Sequence, residues 1–441
     1  LAIYSIVSSE LNYDRFHENE ENIYRLLFDE RPSGRLGARV LPRASPPAGP
    51  ELKEAFPEIE NFVRFRYSDS DILSYEDKSF YESGLFYVDS SLFSVFSFDL
   101  IYGDEKTALR NKNSILLSQN VSSKYFGTKN PLGEIITFNN ERSLVVTGVF
   151  ENPPSNSHLD LDIVLPFHAF EVPFGYPVDL NSWSWVSFHT YVLLADGVSI
   201  NSLEKKISGF VKEVLPESMS SRFTISLENL SNIYFSPFQN NQLKSGNYGF
   251  IYSLIAIGIV LIFLALLNYI NLNTSRLINR SREIGLRRVL GASGKSVGIQ
   301  IFIEAFLLIG ISSIFSLFLF HTLIGTLFDI KGDLITSVTF ILIISIVLCF
   351  MASLIPGLAA RRFNVIRSLN GELKSGRSSI ILRRALIVLQ FIITQSLIVS
   401  SIIINNQIGF IQSKDLGFNR DQIIILEARG SELRGRFSLF K

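Results

Sequence analysis

An α-helical membrane protein with a large α+β domain outside the membrane is the fold class this sequence predicts. Three observations predict it. Four apolar runs, each long enough to cross a bilayer, crowd into the second half of the chain. Arginine clusters occupy alternate connections between those runs. The stretch ahead of them, residues 10–247, reads instead as short strands and a few amphipathic helices. Composition agrees: 441 residues with 47% hydrophobic content, 19% charged residues and a mean hydropathy of +0.27 are too apolar for an ordinary soluble protein. A formal net charge of zero gives a nucleic-acid partner no support. The single cysteine, Cys349, excludes an intramolecular disulfide framework and a cysteine-based metal site.

The chain opens with LAIYSIVSS, which reads as the last turns of an apolar helix already in progress over residues 1–9. Leu1 is not a start methionine, so a fragment is expected. Strand-like stretches follow, among them SILLSQ, EIITFNN, SLVVTGVF, DIVLPF and FHTYVLLAD, rich in β-branched and aromatic residues and separated by Gly, Asn and Pro. SLEKKISGFVKEVL, from Ser202, has helical periodicity with Asn201 or Ser202 as its expected cap, and QNVSSKYFG predicts a second short helix. Strands mixed with a few helices predict an α+β domain in two lobes, with a break near Val172 to Leu180.

Phe250 to Ile270 carries no charge, and its aliphatic and Phe residues are worth roughly −4 to −8 kcal/mol of insertion free energy. Further spans are expected at Val297 to Leu327, Leu334 to Ala360 and Leu382 to Asn405. The connection after the first full span holds Arg276, Arg280, Arg282, Arg287, Arg288 and Lys295. The one before the last holds Arg361, Arg362, Arg367, Lys374, Arg377, Arg383 and Arg384, whereas only DIKGD joins the middle spans. Positive-inside bias places both basic connections in the cytoplasm, and residues 10–247 and the tail beyond Ile408 outside.

The residues offer little catalytic chemistry. GASGKS supplies the back half of a phosphate-binding loop, but Val289 stands where its first glycine should, and a charged helical run precedes it. His17, His158, His168, His189 and His321 are scattered without zinc spacing. His158 has Asp160 and Asp162 nearby, which suits either a ligand cluster or a turn held by side-chain hydrogen bonds. Trp183 and Trp185 suit a ligand groove or core packing. The acids Glu18 to Glu21 read as a solvated loop. No catalytic, cofactor or metal residue is assigned.

SREIGLRRVLGASGKS, from Ser281 to Ser296, carries the most information. On a helix, Leu286, Val289 and Leu290 share one side while Arg280, Glu283 and Arg287 share another. Glu283 and Arg287 stand i, i+4 with the acid first, the better order. Ile284 falls on the polar side, where an exposed apolar residue would suit insertion into a partner's groove. Gly291 is expected to end this helix and Ser293 to cap the next. The alternative is generic positive-inside charge. Glu304, an acid inside the following span, is a functional candidate or the partner of a helix-end arginine.

R-x-REIGLRR-x-LGAS followed by Glu304-Ala305 resembles the permease subunits of MacB/FtsX-type ABC transporters. YDRFHENEENIYRL, ASPPAGPELKEAFPEIENFVRF, DSSLFSVFSFDLIYGDEKTAL and VVTGVFENPPSNSHLDLDI are similar to the MacB-like periplasmic core domain and to the two-copy permeases common in Bacteroidetes. The resemblance implies an order: first helix end at 1–9, periplasmic core domain at 10–247, and an FtsX-like three-helix domain at 248–362 with a coupling helix about 278–291. A cytoplasmic linker at 363–381, the first helix of a second copy at 382–408 and the start of a second periplasmic domain at 409–441 complete it. It implies that Arg282, Glu283, Ile284, Gly285, Arg287, Arg288 and Gly291 couple to a separate cytoplasmic ATPase dimer carrying ATP and Mg. A second permease half, a periplasmic adaptor and an outer-membrane channel are the other implied partners, in a bacterial inner membrane. Export of a peptide, drug or lipoprotein is the implied function; regulation of a cell-envelope enzyme or ligand sensing are the alternatives. One departure stands out: Asn364 is followed by Val365 where relatives usually have proline.

Overall fold

The computed structural model describes residues 1–30, 39–68, 71–170, 179–215, 217–221, 223–238, 243–324, 334–361 and 377–414. Most of the expected break near 172–180, the DIKGD loop, the Asn364-Val365 pair and most of the 363–381 and 409–441 segments lie outside those residues. Contacts divide the chain into two units, one built on Ser9–Tyr248 and a helical one made of Leu1–Ser8 with Gly249–Ile424. The first helix, α1 (Ala2–Leu11), runs from one into the other.

In Ser9–Tyr248 the described strands are β1 (Ile23–Glu30), β2 (Arg39–Leu41), β3 (Ile59–Ser68), β4 (Asp71–Tyr75), β5 (Lys78–Glu82), β6 (Leu85–Val88) and β7 (Leu100–Gly103). They continue with β8 (Ser114–Ser118), β9 (Ile135–Phe138), β10 (Arg142–Phe150), β11 (Ile163–Pro166), β12 (His189–Leu194) and β13 (Phe223–Asn229). All join one sheet in the order β13-β1-β12-β3-β6-β11-β8-β10-β9-β4-β5, with β2 on β1 and β7 on β10. Pairing is antiparallel except for β8 with β10 and β6 with β11. Every residue of β8, β11 and β12 is buried, as their continuous apolar runs require for strands covered on both faces. The edge strand β5 instead leaves four residues exposed, Lys78 among them, which blunts edge pairing. Gly103, at φ +108°, lets β7 approach β10: a Cβ there would lie 2.6 Å from the Thr147 carbonyl oxygen.

Short helices cover the sheet. They are α2 (Ala48–Ala55), α3 (Leu92–Val95), α4 (Gln119–Phe126), α5 (Ile200–Val214), α6 (Glu217–Ser220) and α7 (Leu230–Ile233). α5 buries Leu203, Ile207 and Val211, spaced four apart, in a cluster with Leu52 of α2 and Leu26 of β1. It starts at Ile200 with Ser199 at its N-cap, ahead of the expected Asn201 or Ser202, and Ser199 makes no side-chain cap bond. α4 is capped by the Ser118 hydroxyl, which accepts from Val121 N at 3.3 Å, and it buries Val121, Tyr125 and Phe126 against β8 and β9. A third cluster fills the middle of the sheet, where Phe65, Phe96 and Tyr191 pack edge to face. Trp183 belongs to the α5 cluster, donating Nε1–H to Glu51. Trp185 stacks on Phe170 and packs against Phe188, so both indoles are packing residues.

The helical unit contains α8 (Tyr248–Asn279), α9 (Ser281–Val289), α10 (Gly294–Leu319), α11 (Leu334–Arg361) and α12 (Arg377–Ser413). Among the described residues, four stretches are long and apolar enough to cross a membrane: Tyr248–Arg276, Lys295–Thr322, Leu334–Leu354 and Arg384–Ser413. The second ends in a π-helical turn, Phe320–Ile324. α10 and α11 pack along small residues, with Ala305 and Ala352 buried and the Ser313 and Ser345 hydroxyls 2.8 Å apart, as helices do without a hydrophobic drive between them. Cys349 is buried in that seam, its thiol 3.8 Å from the Phe302 carbonyl oxygen. In α1, Tyr4 stacks on Phe340 of α11 with ring centroids 3.8 Å apart.

Candidate coupling segment and its relatives

The segment after α8 folds as two helices joined by a tight bend. α9 is too short to be stable alone, so something must hold it. Ile284 does: it is buried with Val297 and Ile301 of α10. This corrects the expectation that Ile284 stands on the exposed side. The side that Leu286, Val289 and Leu290 share is the open one, 54, 59 and 79% exposed. Gly285 is buried beside Ile284, so the backbone itself lies close to its neighbours there. Gly291 adopts φ +97° with open space around it, and the bend then feeds Ser293, whose hydroxyl caps α10 by accepting from Ser296 N at 3.3 Å.

A polar chain supports the same seat. Arg287 pairs with Glu283 at 2.7 Å and donates to Gln300 Oε1 at 3.0 Å. Gln300 donates to Glu304 Oε1 at 3.1 Å, and Arg280 reaches that same oxygen at 3.1 Å. Glu304 is therefore the partner of a helix-end arginine and, through Gln300, tied to Arg287. Each pair is half-exposed and individually weak, on the order of 0.5 kcal/mol in water; the chain of them sets geometry. Arg282 is exposed, and Arg288 lies in α9. Gln300 carried no sequence signal beyond standing four residues before Glu304.

In the sheet unit, a second constellation gathers where the chain leaves α1 and where it enters α8. The loop from Asn152 to Asp160 holds both strands of the connection. Asp14 N donates to Asn156 O at 2.8 Å, Asn156 Nδ2 donates to Asn12 O at 2.7 Å, and Lys244 N donates to His158 O at 3.2 Å. Tyr13 stacks on Tyr234, and the Tyr234 hydroxyl donates to Glu10 at 2.7 Å. Burial, and then the Glu10 carboxylate, raise the Tyr234 pKa, so it stays a neutral donor.

His158 is fully buried, with Nδ1 2.8 Å from Asp14 Oδ1 and Nε2 2.7 Å from the Tyr191 hydroxyl. Asp160 instead pairs with Lys244, and Asp162 accepts from Ser118. The three side chains thus serve three different partners, and no group of metal-binding side chains forms among the described residues. His17 is buried against Phe96 and Phe98, accepts from Ser97 N at Nδ1, and is lowered to a pKa of about 4, chiefly by desolvation. Asp14 and His158 stand 144 residues apart, a pairing no local pattern announces.

Residues 1–210 match the MacB-like periplasmic core domain, and residues 255–365 match the FtsX-like permease C-terminal domain. The chain belongs to the MacB/FtsX family of ABC-transporter permeases. Two relatives are the macrolide export ATP-binding/permease proteins MacB of Salmonella paratyphi A (strain ATCC 9150 / SARB42) and Salmonella typhi. Each is 23% identical over 265 residues, covering 58% of this permease and 36% of the relative. The permease thus spans 36% of the length of these curated relatives. Among solved structures, the periplasmic region of MacB from Actinobacillus actinomycetemcomitans is 21% identical at a TM-score of 0.34, covering 48% of the permease and 90% of that chain. The extracellular domain of the noncanonic ABC-type transporter YknZ from Gram-positive bacteria is 16% identical at a TM-score of 0.34, covering 47% and 100%.

Proposed function

We propose that this permease transmits ATP-driven movement from a separate cytoplasmic ATPase dimer to its extracytoplasmic domain, driving export of a peptide, drug or lipoprotein from a bacterial inner membrane. The observation that carries the reading is α9: anchored to α10 by Ile284 and the Glu283–Arg287–Gln300–Glu304–Arg280 chain, it leaves Leu286, Val289 and Leu290 bare. An apolar ridge on a helix seated on a span suits a partner's groove, and force applied there passes directly into α10. Arg282, Glu283, Gly285, Arg287, Arg288 and Gly291 then shape the handle, and ATP with Mg belongs to the partner. On the other side, the Asn152–Asp160 loop, which clasps both connections to the helices, is where movement enters the sheet domain. A second permease half, and a periplasmic adaptor with an outer-membrane channel, complete the assembly. The macrolide exporters among the relatives favour a drug as cargo.

The test is a reconstituted complex of permease and ATPase. Glu283→Ala with Arg287→Ala together is expected to abolish permease-stimulated ATP turnover while membrane insertion stays intact. Stimulated turnover equal to that of the unaltered permease would remove the coupling role.

A further inference from the structure

Where the chain leaves α1 and where it enters α8, four aromatic rings stand in a row. Tyr13 stacks on Tyr234 with centroids 3.4 Å apart, Tyr234 meets Phe235 edge to face at 4.9 Å, and Phe235 stacks on Tyr248 at 4.1 Å. Tyr234 is buried, whereas Tyr13 and Phe235 are half-buried. Leu11 and Tyr248 are 42 and 45% exposed, so apolar surface stays open along the row. Gly246 lets the backbone cross the rings closely. A Cβ there would run into the Tyr234 ring and lie 2.6 Å from Phe235 Cε1, and Gly246 N donates to Tyr234 O at 2.7 Å.

The chain itself sets the level of this row. Tyr248 is the first residue of the membrane-spanning stretch Tyr248–Arg276. At the other end, α1 lies along the spans: a Cβ on Gly258 of α8 would rest 3.6 Å from Ile3, and Tyr4 stacks on Phe340 of α11. Ile3 to Leu11 is about 12 Å of helix and Gly258 back to Tyr248 about 15 Å, so both count out to the same end of the span. Tyr13 follows two residues later, at most about 7 Å further. Phe235 lies well ahead of the span in sequence, and its ring contact with Tyr248 brings it to the same level.

The polar ends of the row are satisfied. The Tyr13 hydroxyl donates to Ser155 O at 3.2 Å and the Tyr234 hydroxyl to Glu10 at 2.7 Å, while Lys244 pairs with Asp160 at 3.0 Å. What remains open is ring face and aliphatic surface. Rings with an apolar body and a polar tip collect at the boundary between lipid headgroups and acyl chains, and an open apolar patch at that depth suits lipid better than water.

We propose that this row anchors the sheet domain in the lipid headgroup layer, with Tyr13, Phe235 and Tyr248 turning their open ring surface, and Leu11 its side chain, to the membrane boundary. The domain thereby holds the membrane surface itself, beyond its covalent connections to the spans. This stands whether or not α9 couples to an ATPase.

Phe235→Trp in the full chain, reconstituted into phosphatidylcholine vesicles, tests it. The two native tryptophans, Trp183 and Trp185, pack within the sheet domain, so the added indole carries the signal. Lipid brominated close to the headgroup is expected to quench roughly a third of the variant's emission, the share of one tryptophan in three, and almost none of the unaltered chain's. Lipid brominated near the chain end should quench less, and aqueous iodide should leave the added emission untouched. Tyr13→Trp, at the other end of the row, is expected to behave alike, and it decides the matter if Phe235→Trp lowers the thermal midpoint. Quenching by iodide and not by brominated lipid puts the row in water, and quenching by neither puts it inside the protein. Either result overturns the proposal. So does stronger quenching from the chain-end bromine, which places the rings in the hydrocarbon.

Discussion

His17 shows how a single buried side chain sets a pH limit on the sheet domain. Its pKa of about 4 in the folded chain, against an ordinary 6.5, means the unfolded state takes up a proton first as the pH falls. Stability is therefore complete above about pH 6.5 and declines between there and pH 4, below which both states are protonated. The loss amounts to about 3 kcal/mol, from 1.36 kcal/mol per unit. Thermal midpoints followed from pH 7 to pH 4 are expected to fall, and the fall should be largely absent in His17→Gln. A second residue of this kind is Glu228, which pairs with Arg25, a guanidinium only 2% exposed. Glu228→Gln leaves that charge buried and unpaired, a change expected to cost about 3–5 kcal/mol. A two-state denaturant titration of the full chain showing a loss below 1 kcal/mol would contradict this.

The element on which the proposed function turns is α9. Its charges alone would let it float, since half-exposed ion pairs contribute little; Ile284 makes it part of α10. Ile284→Ala should loosen the helix by about 2–4 kcal/mol, read as faster amide exchange over Ser281–Val289. Leu290→Ala, on the bare ridge, should leave exchange unchanged and reduce only stimulated ATP turnover. Equal effects of the two substitutions on exchange would mean the helix is not seated as described. The same contrast explains why the helical wheel misplaced Ile284. Amphipathicity identifies two faces but says nothing about which neighbour each meets, and here the partly polar face meets α10 while the mostly apolar face stays open.

At the scale of the whole molecule, the arginine distribution makes a topological claim. With Cys349 replaced by serine, single cysteines at Ser143 and Arg282 should react with an impermeant thiol reagent from opposite sides of the membrane, Arg282→Cys only from the cytoplasm. Reaction of both from one side would reverse the orientation on which the proposed function depends. The spans suit that experiment, because each is long and apolar enough to keep the reagent from mid-membrane sites.

The spans, the strand character of segments such as SILLS and HTYVLL, the two cap-and-glycine signals around α9 and the family resemblance were all legible in the chain, because hydropathy, periodicity and turn chemistry act over a few residues. Tertiary structure decided what pairs across distance. It joined Asp14 to His158, put Glu304 under Arg280, and turned Trp183 and Trp185 into packing. Those partners come from elements whose adjacency depends on sheet order and helix seating, and no local rule encodes either.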